Sequence, residues 1–192
     1  MLSFHPRGFT LIELMIALVI ASLLVGVAGP SFESAMTSSR VASAASELNA
    51  AVHLARNEAI RDNGRVVLCR SDDLSTCTAG AGAWKGWMVF VDSDGSGQRE
   101  AGETLLRTGA IESPLLAFGS GKLVALDNRI AFRADGRARS SDGLTALSGT
   151  IAVCVTGSQA AENVRELSIA FGGRTTVSKK SSIGPCSAPT DA

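Results

Sequence analysis

Residues 9–29 read FTLIELMIALVIASLLVGVAG, twenty-one residues with a single charge, Glu13. As a helix this segment spans about 32 Å at ~1.5 Å per residue, close to the ~30 Å hydrocarbon core of a bilayer. Ahead of it stands MLSFHPRG, carrying Arg7. A basic residue on that side keeps the N-terminus cytoplasmic and sends the rest of the chain outward. Three readings are open: a cleaved secretory signal ending at the small-x-small site Gly26-Val27-Ala28, a permanent signal anchor, or a leader cut on the cytoplasmic side before the apolar run. Glu13 weighs against the first two. An acid that deep in an apolar helix costs about 2.5–3.5 kcal/mol on the insertion scale, which marks it as a functional residue by default.

The rest of the composition bounds the function. The chain has 192 residues, 18 lysines and arginines, 18 aspartates and glutamates, and no net charge. That balance argues against a general nucleic-acid coat protein and leaves room only for local patches. With 45% hydrophobic and 19% charged residues it is apolar for a soluble protein and far from polytopic, and much of the apolar excess sits in residues 9–28.

Pro30 follows Gly29, which predicts a kink in a helix that continues. Beyond it Val41, Ala45, Leu48, Val52, Ala55 and Ala59 recur at three- and four-residue spacing, one face of an amphipathic helix over 30–63, with Asn63-Gly64 as a C-cap. After Gly64 the period changes. Strands are expected at 65–69, 87–92, 104–108, 122–126, 129–133, 150–156, 164–170 and 174–178, punctuated by Gly, Asp, Ser and Asn. The fold class is α+β: a long N-terminal helix, membrane half plus amphipathic half, packed on an antiparallel β-sheet head. The organisation is a leader over 1–8, a transmembrane or filament-core helix over 9–29, an amphipathic helix over 30–63 and a β-rich periplasmic head over 64–192. The tail from 181 onward is irregular except where a cysteine ties it.

Gly8-Phe9-Thr10-Leu11-Ile12-Glu13-Leu14-Met15-Ile16 resembles the prepilin N-terminus of type IV pilins and type II secretion pseudopilins. The resemblance implies cleavage between Gly8 and Phe9 by a prepilin peptidase and N-methylation of Phe9. It makes Glu13 the fifth mature residue and Pro30 the twenty-second, positions where the family carries those residues. A buried carboxylate needs a partner. In a filament of parallel helices the neighbour's N-terminal ammonium supplies it and sets register, as one polar residue does in a coiled-coil seam. Glu13 and Pro30 are thus read as assembly residues.

A second resemblance lies in the head. Trp84-Lys85-Gly86-Trp87-Met88-Val89-Phe90-Val91-Asp92, Asp94-Gly95, Glu103-Thr104-Leu105-Leu106-Arg107 and Phe132-Arg133-Ala134-Asp135-Gly136-Arg137 are similar to the minor pilin and pseudopilin branch called FimT and GspH. Trp84, Trp87 and Phe90 are expected as packed core or strand face. The resemblance implies a non-catalytic minor subunit that initiates or caps a type IV pilus, with DNA uptake downstream. The alternatives are a GspH-type minor pseudopilin of the type II secretion system and a DNA-binding receptor at the pilus tip. The implied partners are other pilins or pseudopilins through the N-terminal helix, the prepilin peptidase, the inner membrane and DNA. The implied location is the inner membrane, single-pass with the N-terminus cytoplasmic and the head periplasmic, then the pilus or pseudopilus.

The four cysteines lie outside the apolar segment without C-x-x-C spacing, which argues against zinc. Three pairings are open, besides free buried thiols, and Cys69–Cys77 with Cys154–Cys186 is preferred; closing those loops is worth about 2.6 and about 3.7 kcal/mol of chain entropy, and the second pins the tail. An oxidising periplasm permits both. No enzyme signature stands: the expected mature chain keeps one histidine, His53, and there is no G-x-S-x-G. Gly119-Ser120-Gly121-Lys122 is no phosphate loop, since Leu116 and Leu123 occupy positions that need Gly and Ser or Thr. Asp92 to Glu103 matches calcium-loop spacing, with Asp94, Ser96, Gly97 and Glu100 in register, but a strand precedes it and Arg99 stands where an apolar residue is usual. It is read as a solvated hairpin tip; no metal or cofactor is expected.

Residues 129–139 carry four arginines against one aspartate, and Lys179 and Lys180 follow Gly173-Arg174. Some members of the pilus branch are linked to DNA uptake through a C-terminal G-R-x-R. Here that place reads Gly173-Arg174-Thr175-Thr176, and a literal G-R-x-R occurs at Gly136-Arg137-Ala138-Arg139. Were the two loops adjacent, Arg137, Arg139, Arg174, Lys179 and Lys180 would offer five phosphate contacts and a salt slope near −4. No aromatic residue is interleaved, so base stacking is not expected.

Overall fold

One helix organises the molecule. The computed structural model describes residues 8–157 and 162–191; inside the long helix the side chains of residues 25–31 are outside the description. α1 (Leu11–Arg61) has 51 residues and passes through Pro30 as continuous helix. Among the described residues no helix is long and apolar enough to cross a membrane, and part of the expected 9–29 span falls on the undescribed side chains. The described side chains there are nonetheless bare: Leu11, Ile12, Leu18 and Leu24 are all more than half exposed. The helix ends by a left-handed stop. Asn63 takes φ 47° and the Gly64 N–H donates to the Ala59 carbonyl at 3.1 Å, with Asp62 as the C-cap.

The head is two antiparallel sheets. The first has the order β3-β2-β1-β5-β6, built from β1 (Val66–Arg70), β2 (Gly86–Val91), β3 (Leu105–Ala110), β5 (Arg129–Phe132) and β6 (Ala138–Arg139). The second has the order β4-β7-β8-β9, built from β4 (Leu115–Gly119), β7 (Gly149–Val155), β8 (Val164–Ile169) and β9 (Thr175–Lys180). Both lay one face on α1. Val41, Ala45, Leu48, Val52, Ala55 and Ala59 are fully buried in one cluster with Leu68, Val89, Ile130 and Phe132 of the first sheet and Ile151, Val153, Leu167 and Ile169 of the second. The alternation of the strands sends the other side chains outward. Val67, Cys69, Met88, Phe90 and Ala131 form a second cluster, and Ala152, Cys154 and Val164 a third.

Trp84, Trp87 and Phe90 are buried as expected. Gly109 stands opposite Trp87 in the β2–β3 ladder, where any Cβ would strike the indole. Two expectations need correction. Residues 122–126 are not a strand: 122–125 belong to α2 (Gly121–Ala125) and Leu126 is its C-cap, because Gly119 and Gly149 leave the space into which Leu123 is pressed, and a four-residue apolar run carries no period of its own. The preceding LLAFG, absent from the expected strands, is β4, held in ladder by β7.

Candidate functional site

The two basic loops lie side by side. β5 leads through Arg133–Gly136 into β6, and the turn after β8 carries Phe171–Gly173. The Ala138 N–H donates to the Phe171 carbonyl at 2.9 Å. From α1, Arg56 reaches both loops: Nε donates to the Gly136 carbonyl at 3.0 Å and Nη1 to the Gly173 carbonyl at 3.4 Å. Gly173 has φ +72°, and a Cβ there would run into the Gly136 carbonyl, so the close approach requires glycine. Arg137 and Arg139 lie over the Phe171 ring, their guanidinium carbons 5.5 and 5.6 Å from its centroid. An aromatic residue is therefore interleaved with the arginines after all; it enters from another strand turn, which sequence spacing does not show.

The basic set is smaller than expected. Asp135 faces Arg139 at 3.4 Å and Arg137 at 3.9 Å. The Arg137 backbone N–H, and less strongly the two guanidiniums, hold its carboxyl below the usual carboxylate range. Arg174 is exposed at the start of β9. Lys179 and Lys180 sit at the opposite end of that strand, paired with Glu162 at 3.0 Å and Glu166 at 2.7 Å. The tertiary structure thus brings Arg137 and Arg139 together over Phe171, places Arg174 on the adjoining loop, and leaves the two lysines elsewhere. His53 bonds Thr175 Oγ1 through Nε2 at 3.1 Å, tying helix to β9.

At the other end of the molecule Glu13 is held by its own chain. Its Oε2 accepts from the Thr10 N–H at 2.8 Å and from Thr10 Oγ1 at 2.9 Å, while Thr10 Oγ1 accepts from the Glu13 N–H at 3.3 Å. This reciprocal cap satisfies two helix-end donors. The Thr10-x-x-Glu13 spacing was its signal in the sequence. Gly8 and Phe9 precede the helix, fully accessible.

The disulfides Cys69–Cys77 and Cys154–Cys186 are closed, with Cα atoms 5.7 and 6.0 Å apart. In the 92–103 loop one oxygen each of Asp92, Asp94 and Glu103 lie within 4.8 Å of one another. They serve the loop itself. Asp92 is buried, pairs with Arg65 at 2.8 Å and accepts from the N–H groups of Gly95 and Gly97. Asp94 accepts from Ser96 and Glu103 from Ser93 and Glu100. The Arg65 guanidinium balances the charge of one of the three carboxylates, and the bonds among these residues make a self-bonded turn. Ser120 is the N-cap residue of α2, consistent with a turn and not a phosphate cradle.

Comparison with known proteins fits this geometry. The family model described as type II transport protein GspH matches residues 44–173, and the prokaryotic N-terminal methylation motif matches residues 4–29. Among solved structures, the type IV minor pilin FimU of Pseudomonas aeruginosa, in two crystal forms, is 24% and 25% identical, with TM-scores of 0.50 and 0.51. The alignments cover 71% and 72% of this chain and 90% and 87% of FimU. The minor pseudopilin EpsH from the type 2 secretion system of Vibrio cholerae is 9% identical at a TM-score of 0.49, over 73% of this chain and 97% of EpsH. A comparison with curated protein sequences finds no match. With its head matched over most of its length and its methylation motif in place, the chain belongs to the GspH family of the type IV pilin and pseudopilin superfamily, whose members are structural subunits and not enzymes.

Proposed function

We propose that this protein is a minor subunit that initiates or caps a type IV pilus. A peptidase cuts between Gly8 and Phe9, Phe9 is N-methylated, and residues 9–29 hold the subunit in the inner membrane with the head outside until assembly. The observation that carries this reading is the bare apolar half of α1: its described large apolar side chains are exposed, while beyond Ser38 one face of the helix is buried against the head. A neighbouring helix or lipid must cover them. In the assembled state Glu13 trades its bonds to Thr10 for the ammonium of a neighbour, and Pro30 marks the junction of the two halves.

The family match favours a second reading, a GspH-type minor pseudopilin of the type II secretion system. A deletion strain decides between them. Loss of surface pili with normal exoprotein secretion supports the pilus; the reverse supports secretion. The mass of the mature protein tests the leader: an N-terminus at Gly29 and not Phe9 ends both readings.

DNA belongs to the pilus reading. Three arginines on the two adjoining loops, Arg137, Arg139 and Arg174, replace the five cations expected from sequence, so log K for duplex DNA should fall with log salt at a slope near −2.7. Titration at two salt concentrations measures it. No binding at low salt, or binding unchanged in Arg137→Gln/Arg174→Gln, removes DNA and the tip-receptor reading with it.

A further inference from the structure

The second sheet has two apolar faces, and only one meets α1. On the other, Ala152, Cys154 and Val164 are buried together with parts of Leu116 and Phe118. The chain covers this face with its own tail. After β9 ends at Lys180, residues 181–191 cross from the edge strand toward α2, beyond β4 at the far side of the sheet. Ties at three places hold them, besides the Ser181 hydroxyl at the root, which accepts from the Glu162 N–H at 3.0 Å. At the start, buried Asn163 bonds the Ser182 backbone twice: Oδ1 accepts from its N–H and Nδ2 donates to its carbonyl, each at 2.8 Å. In the middle, Cys186 is bonded to Cys154 of β7. At the end, Asp191 Oδ1 accepts from the Lys122 N–H at 2.9 Å, and Pro189 beside it is buried.

The tail does not fill the space under it. A cavity of about 280 Å³ remains between it and the sheet, lined by Ala152, Val164, Glu166, Lys180 and the tail's own residues 181–182 and 186–190. Cover without close packing means that the covalent tie does most of the holding. The tie at Asn163 acts only at the root. The Asp191 carboxylate sits in solvent, where its hydrogen bonds with the Lys122 N–H and the Ser120 hydroxyl are worth little against the entropy of an eleven-residue segment.

We propose that residues 181–191 are a strap latched by one disulfide: closed, it seals the outer face of the second sheet, and opened, it lifts as a unit and uncovers that face while α1 and the first sheet stay folded. Opening is a thiol–disulfide exchange with a dithiol. The dithiol gives two electrons and two protons and becomes a disulfide; Cys154 and Cys186 become thiols. The first sheet carries its own disulfide and its own contacts with α1, which is why the two parts separate.

The test uses the full chain in detergent micelles, as oxidised wild type, wild type reduced with dithiothreitol and alkylated, and Cys186→Ala. Cys77→Ala, which opens only the other disulfide, is the control for reduction. Tryptic cleavage after Lys179 and Lys180, hydrogen exchange at the Ser182 amide and binding of an apolar dye are followed together. In reduced protein and in Cys186→Ala, cleavage should speed up about tenfold or more and dye should bind, with exchange in α1 and β1 unchanged. Cleavage and dye binding as in the oxidised protein would overturn the latch. So would loss of protection throughout α1 and β1, which would make the disulfide a staple of the whole head. Asp191→Asn, with the disulfide intact, should leave the Ser182 amide protected; full release of the strap by that change would place the latch at Asp191 and refute the assignment to Cys186.

Discussion

The pair Arg65–Asp92 offers the sharpest test of how the head is held. Asp92 ends the β2 region with its side chain wholly buried, and Arg65, just after α1, is 16% exposed at 2.8 Å. One carboxylate thus ties the helix end to the β2–β3 loop and also accepts from the N–H groups of Gly95 at 3.0 Å and Gly97 at 3.1 Å. Asp92→Asn keeps size and shape but turns one oxygen into a donor facing a guanidinium. Breaking one side of a buried pair costs about 3–5 kcal/mol, because the remaining charge is left without its partner. For a head of this size about 2–4 °C in Tm accompanies each kcal/mol, so the midpoint should fall by roughly 6–20 °C. Unfolding of the full chain in micelles, by urea for the free energy and by heat for the midpoint, is read by the near-UV signal from buried Trp84 and Trp87. Arg65→Met combined with Asp92→Asn should recover part of the loss, since the orphaned charge is gone, leaving the weaker bonds to Gly95 and Gly97. A loss below about 1 kcal/mol in Asp92→Asn, or no coupling in the double variant, would refute the claim that this pair anchors the loop.

Three further outcomes are expected. Leu48→Ala, at a fully buried position where α1 meets both sheets, should cost about 2–5 kcal/mol in the same unfolding assay. Glu13→Val should enter membranes as well as wild type but fail to assemble, seen as normal membrane fractionation with loss of pili or secretion; wild-type assembly at native expression would contradict the role given to Glu13. Glu162 is held below the ordinary carboxylate range, first by its bond to Lys179 and also by Arg165, so its folded pKa is depressed. Its contribution is therefore present above the unfolded value near 4.5 and is lost as pH falls below it, and Glu162→Gln should flatten the stability profile over that acid range.

The sequence by itself determined what is local or periodic. The methylation motif is a run of contiguous residues. The buried face of α1, from Val41 to Ala59, is a 3.6-residue period that needs no knowledge of what covers it. Asn63-Gly64 announces the end of the helix, and β1, β2 and β7 are runs rich in β-branched or aromatic residues between turn residues. The capping bonds between Thr10 and Glu13 were equally legible from their spacing. Only the tertiary structure decided the rest, because it depends on partners distant in sequence. LVA at 123–125 suits a strand as well as a helix until Gly119 and Gly149 make room for Leu123. The basic loops at 136–139 and 171–174 become one site through Arg56, a helix residue 80 positions from Gly136, and through Phe171 beneath the arginines. Lys179 and Lys180 leave that site because β9 is extended and carries them to its far end, beside Glu162 and Glu166. Which face the tail covers follows from Cys154, which lies on the side away from α1, and its path from strand order: in β4-β7-β8-β9 the last strand is an edge, so a chain leaving it must cross its neighbours to reach Cys154 and α2.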